Sequence, residues 1–314
     1  FSGGGTESIN TAIRGILASR APRRQVITTA VEHSAVRELC KQVGREGAEV
    51  LEIPVDERGM VDLDRFASVL GDETALVTMM WANNETGVIF PVEEIARRCK
   101  ERGVPFHCDA TQAVGKIPID LKTIPIDAMS FASHKFHGPK GVGGLFVRRG
   151  LRLRSLLIGG PQERGRRGGT ENVPGIVGMG VAAELVAAHL PEMHRVAAKR
   201  DRLEQSILLA VEDAHVIGGG NRRVPNTTNI GFARLEAEAI LLLLSEQGIC
   251  ASAGSACSSG SLEPSPVLIA MGIEDKIAHG AIRLSLSWYT TDAEIDQALA
   301  VLPGVIERLR VILA

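Results

Sequence analysis

Thr74-Ala75-Leu76-Val77-Thr78-Met79-Met80 is an uninterrupted β-like run, flanked by helical patterns over Leu63 to Leu70 before it and Val92 to Arg102 after it. Outward from this run the alternation repeats. Towards the N-terminus lie Glu49 to Ile53, a helix over Ser34 to Glu46, the run Gln25 to Thr29, and a helical pattern from Glu7 to Ser19. Towards the C-terminus lies Pro105 to Cys108. Strands separated by helices are the signature of βαβ units, so the pattern predicts an α/β fold with a mostly parallel sheet. Short apolar runs at Ala128 to Ala132 and Gly144 to Val147 continue the sheet, and an Arg- and Gly-rich connection follows from Gly159 to Gly169.

A long helix is expected over Val173 to Leu190 and a second over Glu192 to Val211. They lead to strands near Thr228 to Phe232 and Ile282 to Ser285, and to helices near Glu236 to Glu246 and Asp292 to Leu309. A boundary near Pro191 gives a large domain over residues 1–191 and a smaller α+β domain over 192–314. With 314 residues, 45% of them hydrophobic, the chain can fill both cores.

Composition excludes several classes of function. The 35 basic and 37 acidic side chains give a net charge of −2, so nothing in the balance calls for nucleic acid or an anionic membrane surface. Arg148, Arg149, Arg152, Arg154, Arg164, Arg166 and Arg167 therefore need local explanations. Apolar stretches such as Ala237 to Leu244 fall short of the roughly 20 residues of a bilayer span, and no signal-peptide pattern opens the chain. The expectation is a cytoplasmic protein with neither membrane nor nucleic-acid partner. The five cysteines are odd in number, scattered and without Cys-x-x-Cys, which argues against a disulfide framework or a metal site. Cys108 and Cys250 are expected in packed strands or helices.

The chemistry concentrates in Ser133-His134-Lys135-Phe136-His137-Gly138-Pro139-Lys140-Gly141, just after an apolar strand. A lysine on a loop at a strand end can approach a carbonyl carbon and form the Schiff base on which pyridoxal phosphate (PLP) enzymes depend. By itself such a lysine is a solvated turn residue. Upstream, His107-Cys108-Asp109-Ala110-Thr111-Gln112 sets an aspartate at a strand end, where a carboxylate can pair with a protonated pyridine nitrogen and keep the ring an electron sink. Alone, it would be a helix N-cap. Gln112 can donate to a phenolic oxygen, and Gly3-Gly4-Gly5-Thr6-Glu7 before a helix offers bare N–H groups and a positive helix end to a phosphate. His33, following a strand, can stack on a planar ring or serve structure alone.

Together these stretches resemble the fold-type I PLP enzymes, and more narrowly the NifS/IscS group of cysteine desulfurases, along essentially the whole chain. The telling segments are Thr6-Glu7-Ser8, Glu32-His33-Ser34-Ala35-Val36, Asn83-Asn84-Glu85-Thr86-Gly87, Asp109-Ala110-Thr111-Gln112, His134-Lys135 with Gly138-Pro139-Lys140-Gly141, Arg164-Gly165 with Gly169-Thr170, and Gly254-Ser255-Ala256-Cys257. The resemblance implies an aspartate aminotransferase-like fold and pyridoxal 5'-phosphate on Lys135. It implies that His33 stacks on the ring and moves protons, that Asp109 meets the pyridine nitrogen, and that Gln112 meets the phenolic oxygen. Gly5, Thr6 and His134 would hold the phosphate. Ser133 joins them as a cofactor contact, although it stands one place later than the family's phosphate serine and leaves Ala132 there, while Gly3 replaces another serine. Asn84 would lie near both the cofactor oxygen and the substrate carboxylate, and Arg283 would bind that carboxylate as a bidentate partner. Thr170 would reach the phosphate of a partner subunit, which makes the expected assembly a homodimer. Chains of the family also begin earlier than Phe1.

Cys257 lies in Ser252-Ala253-Gly254-Ser255-Ala256-Cys257-Ser258-Ser259-Gly260-Ser261, small residues with little apolar surface to pin them. A sulfur that takes a persulfide in one place and presents it in another needs such a segment. The resemblance then implies conversion of L-cysteine to L-alanine, with Lys135 as base for the α-proton, His33 activating the substrate thiol and Cys257 as nucleophile. An iron–sulfur scaffold protein would accept the sulfur. Met80-Trp81-Ala82-Asn83-Asn84 and Phe136-His137 look like the nitrogen-fixation type. Selenocysteine lyase or aminotransferase chemistry is a rival, though neither calls for the Cys257 loop. A catalytically silent protein that dimerises or docks partners is a rival of another class.

Overall fold

The computed structural model describes residues 1–254 and 263–313. The chain divides into two units. The first comprises Phe1–Pro54, Val61–Asn83 and Phe90–Leu190, and the second Val55–Met60, Asn84–Ile89 and Pro191–Ala314. The second unit thus draws two short segments from the first half of the chain, where the sequence suggested a single division near Pro191.

In the first unit, α1 (Gly5–Ser19), β1 (Gln25–Thr29), α2 (Ser34–Arg45), β2 (Glu49–Ile53), α3 (Leu63–Val69), β3 (Thr74–Met80), α4 (Val92–Glu101), β4 (Phe106–Asp109), β5 (Ala128–Ala132) and β6 (Gly143–Val147) follow one another. A short α5 (Gln162–Gly165) and a long α6 (Val173–His189) complete it. The helices obey local chemistry. Asp62 caps α3 by accepting from the N–H groups of Asp64 and Arg65, and α2 buries Val36, Leu39, Cys40 and Val43, the i, i+3, i+4, i+7 stripe of an amphipathic helix. All seven residues of β3 are buried, as expected of a central strand covered on both faces.

The sheet runs β2-β1-β3-β4-β5-β6. Every pair is parallel except β5 with β6, which is antiparallel. The order reverses direction between β1 and β3, and in open α/β sheets ligands bind outside the carboxyl ends of the strands at such a point. Residues immediately after β1, β3, β4 and β5 therefore border that position.

The second unit contains α7 (Met193–Ala210), β7 (Ala214–Ile217), β8 (Thr227–Phe232), α8 (Ala237–Glu246), β9 (Ser252–Ala253), α9 (Pro266–Ala270), α10 (Asp275–Ala278), β10 (Ala281–Ser285) and α11 (Asp292–Leu313). Its sheet, β7-β8-β10-β9, is antiparallel throughout. Leu203, Ile207, Ile230, Phe232, Ile240, Ile282 and Ile306 are among the residues that join helices and sheet in one apolar cluster.

Two expectations need correction. Cys250 is exposed, because it follows the last turn of α8 instead of lying within a strand, whereas Cys108 is buried in β4. Apolar stretches do not all fall short of a bilayer span: the helical run Val173–Ala210 is long and apolar enough to cross a membrane by length and composition. Its apolar residues are spaced by glycine and alanine, which hides them from a search for contiguous runs.

Candidate active site

Three residues of the first unit meet at the carboxyl ends of its strands. Asp109 is the last residue of β4, His33 follows β1 as the N-cap of α2, and Lys135 sits in a 3-10 turn, Ser133–Phe136, directly after β5. They are close enough for their charges to act on one another. Burial pushes the Asp109 carboxyl above its ordinary range, and the Thr111 side chain and N–H, His33 and Lys135 pull it back. That N–H donates to Asp109 Oδ1 at 3.0 Å. Burial also pushes His33 below the ordinary imidazole range, with Lys135 and Arg37 adding to the push and Asp109 opposing it, so the ring is neutral at pH 7.

His33 Nδ1 accepts from the Ala35 N–H at 3.1 Å. A neutral imidazole that accepts at Nδ1 carries its proton at Nε2, so in this tautomer His33 offers a proton at Nε2 and does not take one there. Gln112 Oε1 accepts from Lys116 Nζ, which leaves the Gln112 amide nitrogen as the donor end. Lys116 is a residue the sequence reading missed. Its only signal was the i, i+4 spacing from Gln112.

Phosphate holding can be tested on the start of α1. No side chain caps this helix, so its first N–H groups are open to an anion. Gly5 lies so close to β5 and to Thr111 that a Cβ there would sit 3.4 Å from both Ala132 Cβ and Thr111 Oγ1. Thr111 Oγ1 is buried without a hydrogen bond. An uncapped helix start, an unsatisfied hydroxyl beside it and a buried carboxylate near a lysine together fit pyridoxal phosphate, with its anionic and pyridinium ends. Thr6 and His134 are exposed around this region.

The structure does not bring Ser133 to this cradle. Its hydroxyl is buried towards Gly138, where a Cβ would come within 2.0 Å of it, and Ala132 faces Gly5 instead. Neighbouring residues point to opposite sides where the strand passes into the turn, so one position decides which side chain meets the phosphate. Thr170 is exposed on a hollow that it shares with Ser2, Gly3 and Arg167. Arg167 pairs with Glu7, and Arg148 donates to the carbonyls of Leu121, Ile124 and Ile126, so two of the clustered arginines have local structural work.

The second unit holds the expected carboxylate binders. Arg283 lies on β10 between β8 and β9, and its Nη1 donates to the Asn84 carbonyl at 2.9 Å. Asn84 Oδ1 is buried without a hydrogen bond. Asn84 belongs to this unit because its segment is tied there: Asn229 Nδ2 donates to the Glu85 carbonyl, Ser265 Oγ to Glu85 Oε2, and the Val224 N–H to the Gly87 carbonyl. Cys257 lies outside the described residues, in the connection between β9 and Ser265.

Comparison with known proteins shows the family. The profile of the class-V aminotransferases matches residues 1–298. Cysteine desulfurase 2 of Trichormus variabilis is 54% identical over 312 residues, which are 99% of this chain and 78% of that protein. Cysteine desulfurase NifS of Azotobacter vinelandii is 53% identical over 311 residues, 99% of this chain and 77% of that protein. Among solved structures, a NifS-like protein superposes with a TM-score of 0.91 at 38% identity, over 98% of this chain and 82% of the other. A NifS-like protein from Rickettsia africae gives 0.86 at 27% identity, covering 98% and 81%. The chain therefore belongs to the NifS/IscS group of cysteine desulfurases, PLP enzymes within the class-V aminotransferase family.

Proposed function

We propose that the chain converts L-cysteine to L-alanine, leaves the sulfur as a persulfide on Cys257, and hands it to a scaffold protein for iron–sulfur cluster assembly of the nitrogenase-maturing kind. The observation that carries this reading is the grouping of Lys135, Asp109 and neutral His33 at the carboxyl ends of β5, β4 and β1. Bound pyridoxal phosphate supplies an electron sink for the substrate's α-carbon. The chain does the rest. Lys135 would hold the cofactor and, once released from it, take the α-proton, Asp109 would keep the pyridine nitrogen protonated, and Gln112 would donate to the phenolic oxygen. Arg283 and Asn84 orient the substrate carboxylate. Cys257 thiolate attacks the substrate sulfur: an S–S bond forms, the C–S bond breaks, and its electron pair stays on the carbon, which is then protonated. His33 Nε2–H is the proton source this structure offers.

The nitrogen-fixation assignment is supported by the likeness to the Azotobacter protein named NifS. A homodimer is supported by α6, where Val173, Val177, Val181 and Leu185 form an exposed stripe at i, i+4, i+8, i+12, directly after Thr170. A second copy of the same helix face is the occupant that fits, because one apolar patch then covers the other. The free cysteines suit the reducing cytoplasm.

Sulfide and alanine released from L-cysteine test the reading. Cys257→Ala should abolish persulfide formation and cut sulfide release to background. Wild-type release from that variant would remove Cys257 from the nucleophile's place. Lys135→Ala should lose the borohydride-reducible cofactor link, and persistence of that link would overturn the assignment of the lysine.

A further inference from the structure

Glu32 is a buried carboxyl to which the mechanism above gives no role. It stands in the turn between β1 and α2, immediately before His33, and is 1% exposed. Its Oε1 accepts twice: from Thr29 Oγ1 at 2.7 Å and from the Met80 backbone N–H, at the end of β3, at 3.0 Å. Nearby, Asn83 Nδ2 donates to the Val31 carbonyl at 3.1 Å. The turn that carries His33 is thus fastened to the end of β3 and the residues just after it at two adjacent positions, Val31 and Glu32. The other oxygen, Oε2, is buried without a hydrogen bond.

The ionisable groups that sense Glu32 are Asp109 and Cys108 on β4 and Cys40 on α2, and His33 is next in the chain. None of these compensates a second negative charge, and a buried anion that faces another anion is strongly disfavoured. We propose that Glu32 is a positioning residue for the cofactor site: a neutral carboxylic acid that locks the His33 turn to β3 and leaves Asp109 as the one charged carboxylate of the pocket. The proposal deepens the reading of this site as a PLP centre and rests on it. Burial pushes the Glu32 carboxyl up to about 8, with Asp109 adding to the rise and the bonds from Thr29 and Met80 opposing it.

The sign of the pH effect follows. The folded chain holds a proton that the unfolded chain releases above the ordinary value of 4.5. The stabilisation is complete below that pH and is lost progressively as the pH rises towards about 8.

Glu32→Gln keeps a neutral group and the Oε1 acceptor, whereas Glu32→Ala removes both. Thermal melting against pH should show the wild type losing stability relative to Glu32→Gln between about pH 5 and 8, with or without cofactor. The pH titration of the lysine-bound cofactor's absorbance should match in wild type and Glu32→Gln. Glu32→Ala should lower kcat by up to about 100-fold at little changed KM, since displacement of a catalytic group by an ångström costs that much, and Glu32→Gln should rescue most of the loss. A melting difference independent of pH, a cofactor titration shifted by Glu32→Gln, or a wild-type kcat in Glu32→Ala would each overturn the proposal. Should the wild type show no lysine-bound cofactor absorbance, the reading of the site itself falls, while the melting comparison still decides whether Glu32 is neutral.

Discussion

Asp109 and the cysteines show how much one position's surroundings decide. Asp109 is buried at a strand end with a single backbone donor, so its charge is costly, and the proposed pairing with a cationic ring nitrogen would offset that cost. Asp109→Asn should therefore still load cofactor on Lys135, visible as absorbance, yet lose kcat by about 100-fold or more, as removal of a preorganised charge does. Retention of wild-type kcat would contradict the pairing. Among the thiols, burial pushes Cys40 up to about 12 and Cys99 and Cys108 above the ordinary range, whereas Cys250 is exposed. In a Cys257→Ala background a thiol reagent should modify Cys250 in the native protein and the other three only after unfolding. The placement of Lys135 and Asp109 at strand ends was legible because strand-end position can be read from apolar runs. Ser133 was not, because its side depends on where β5 gives way to the turn, and Cys250 was not, because the end of α8 exposes it.

At the scale of elements, the strands over 25–29, 49–53, 74–80 and 128–132 and the helix starting at Val92 stand where the apolar patterns put them. Weakly patterned pieces escaped. β9 has two residues, α9 five and α10 four, too few to show a period. The antiparallel setting of β6 was equally hidden, since pattern does not reveal strand direction. That strand has a function in the cradle: Gly143 exchanges backbone hydrogen bonds with Ser2, at 3.0 and 2.9 Å, and thereby supports the segment that enters α1. A Cβ on Gly143 would lie 2.7 Å from the Phe131 carbonyl oxygen and 2.8 Å from Gly4 carbonyl carbon. Gly143→Ala should cost about 1–3 kcal/mol of stability through overpacking and weaken cofactor retention, measurable by melting and by cofactor titration. An unchanged cofactor affinity would show that the entry to α1 does not set phosphate binding.

For the whole molecule, the exposed stripe on α6 is the surface on which the proposed homodimer would close. Val177 is 61% exposed and Val181 53%, so charge placed there meets water in a monomer and an apolar neighbour in a dimer. Val177→Lys with Val181→Glu should shift the sedimentation profile to monomer with melting little changed, and an unaltered profile would place the interface elsewhere. The second unit, for its part, is sewn from three stretches of chain, with Val88 bridging to Arg223 and the Ile89 N–H reaching the Arg222 carbonyl. During synthesis, residues 84–89 leave the ribosome more than a hundred residues before the strand that Arg283 occupies, and must wait for it. A ribosome-tethered nascent chain should accordingly stay protease-sensitive in this unit until β10 has emerged, and the vacancy left by the waiting partners is where a chaperone has time to act.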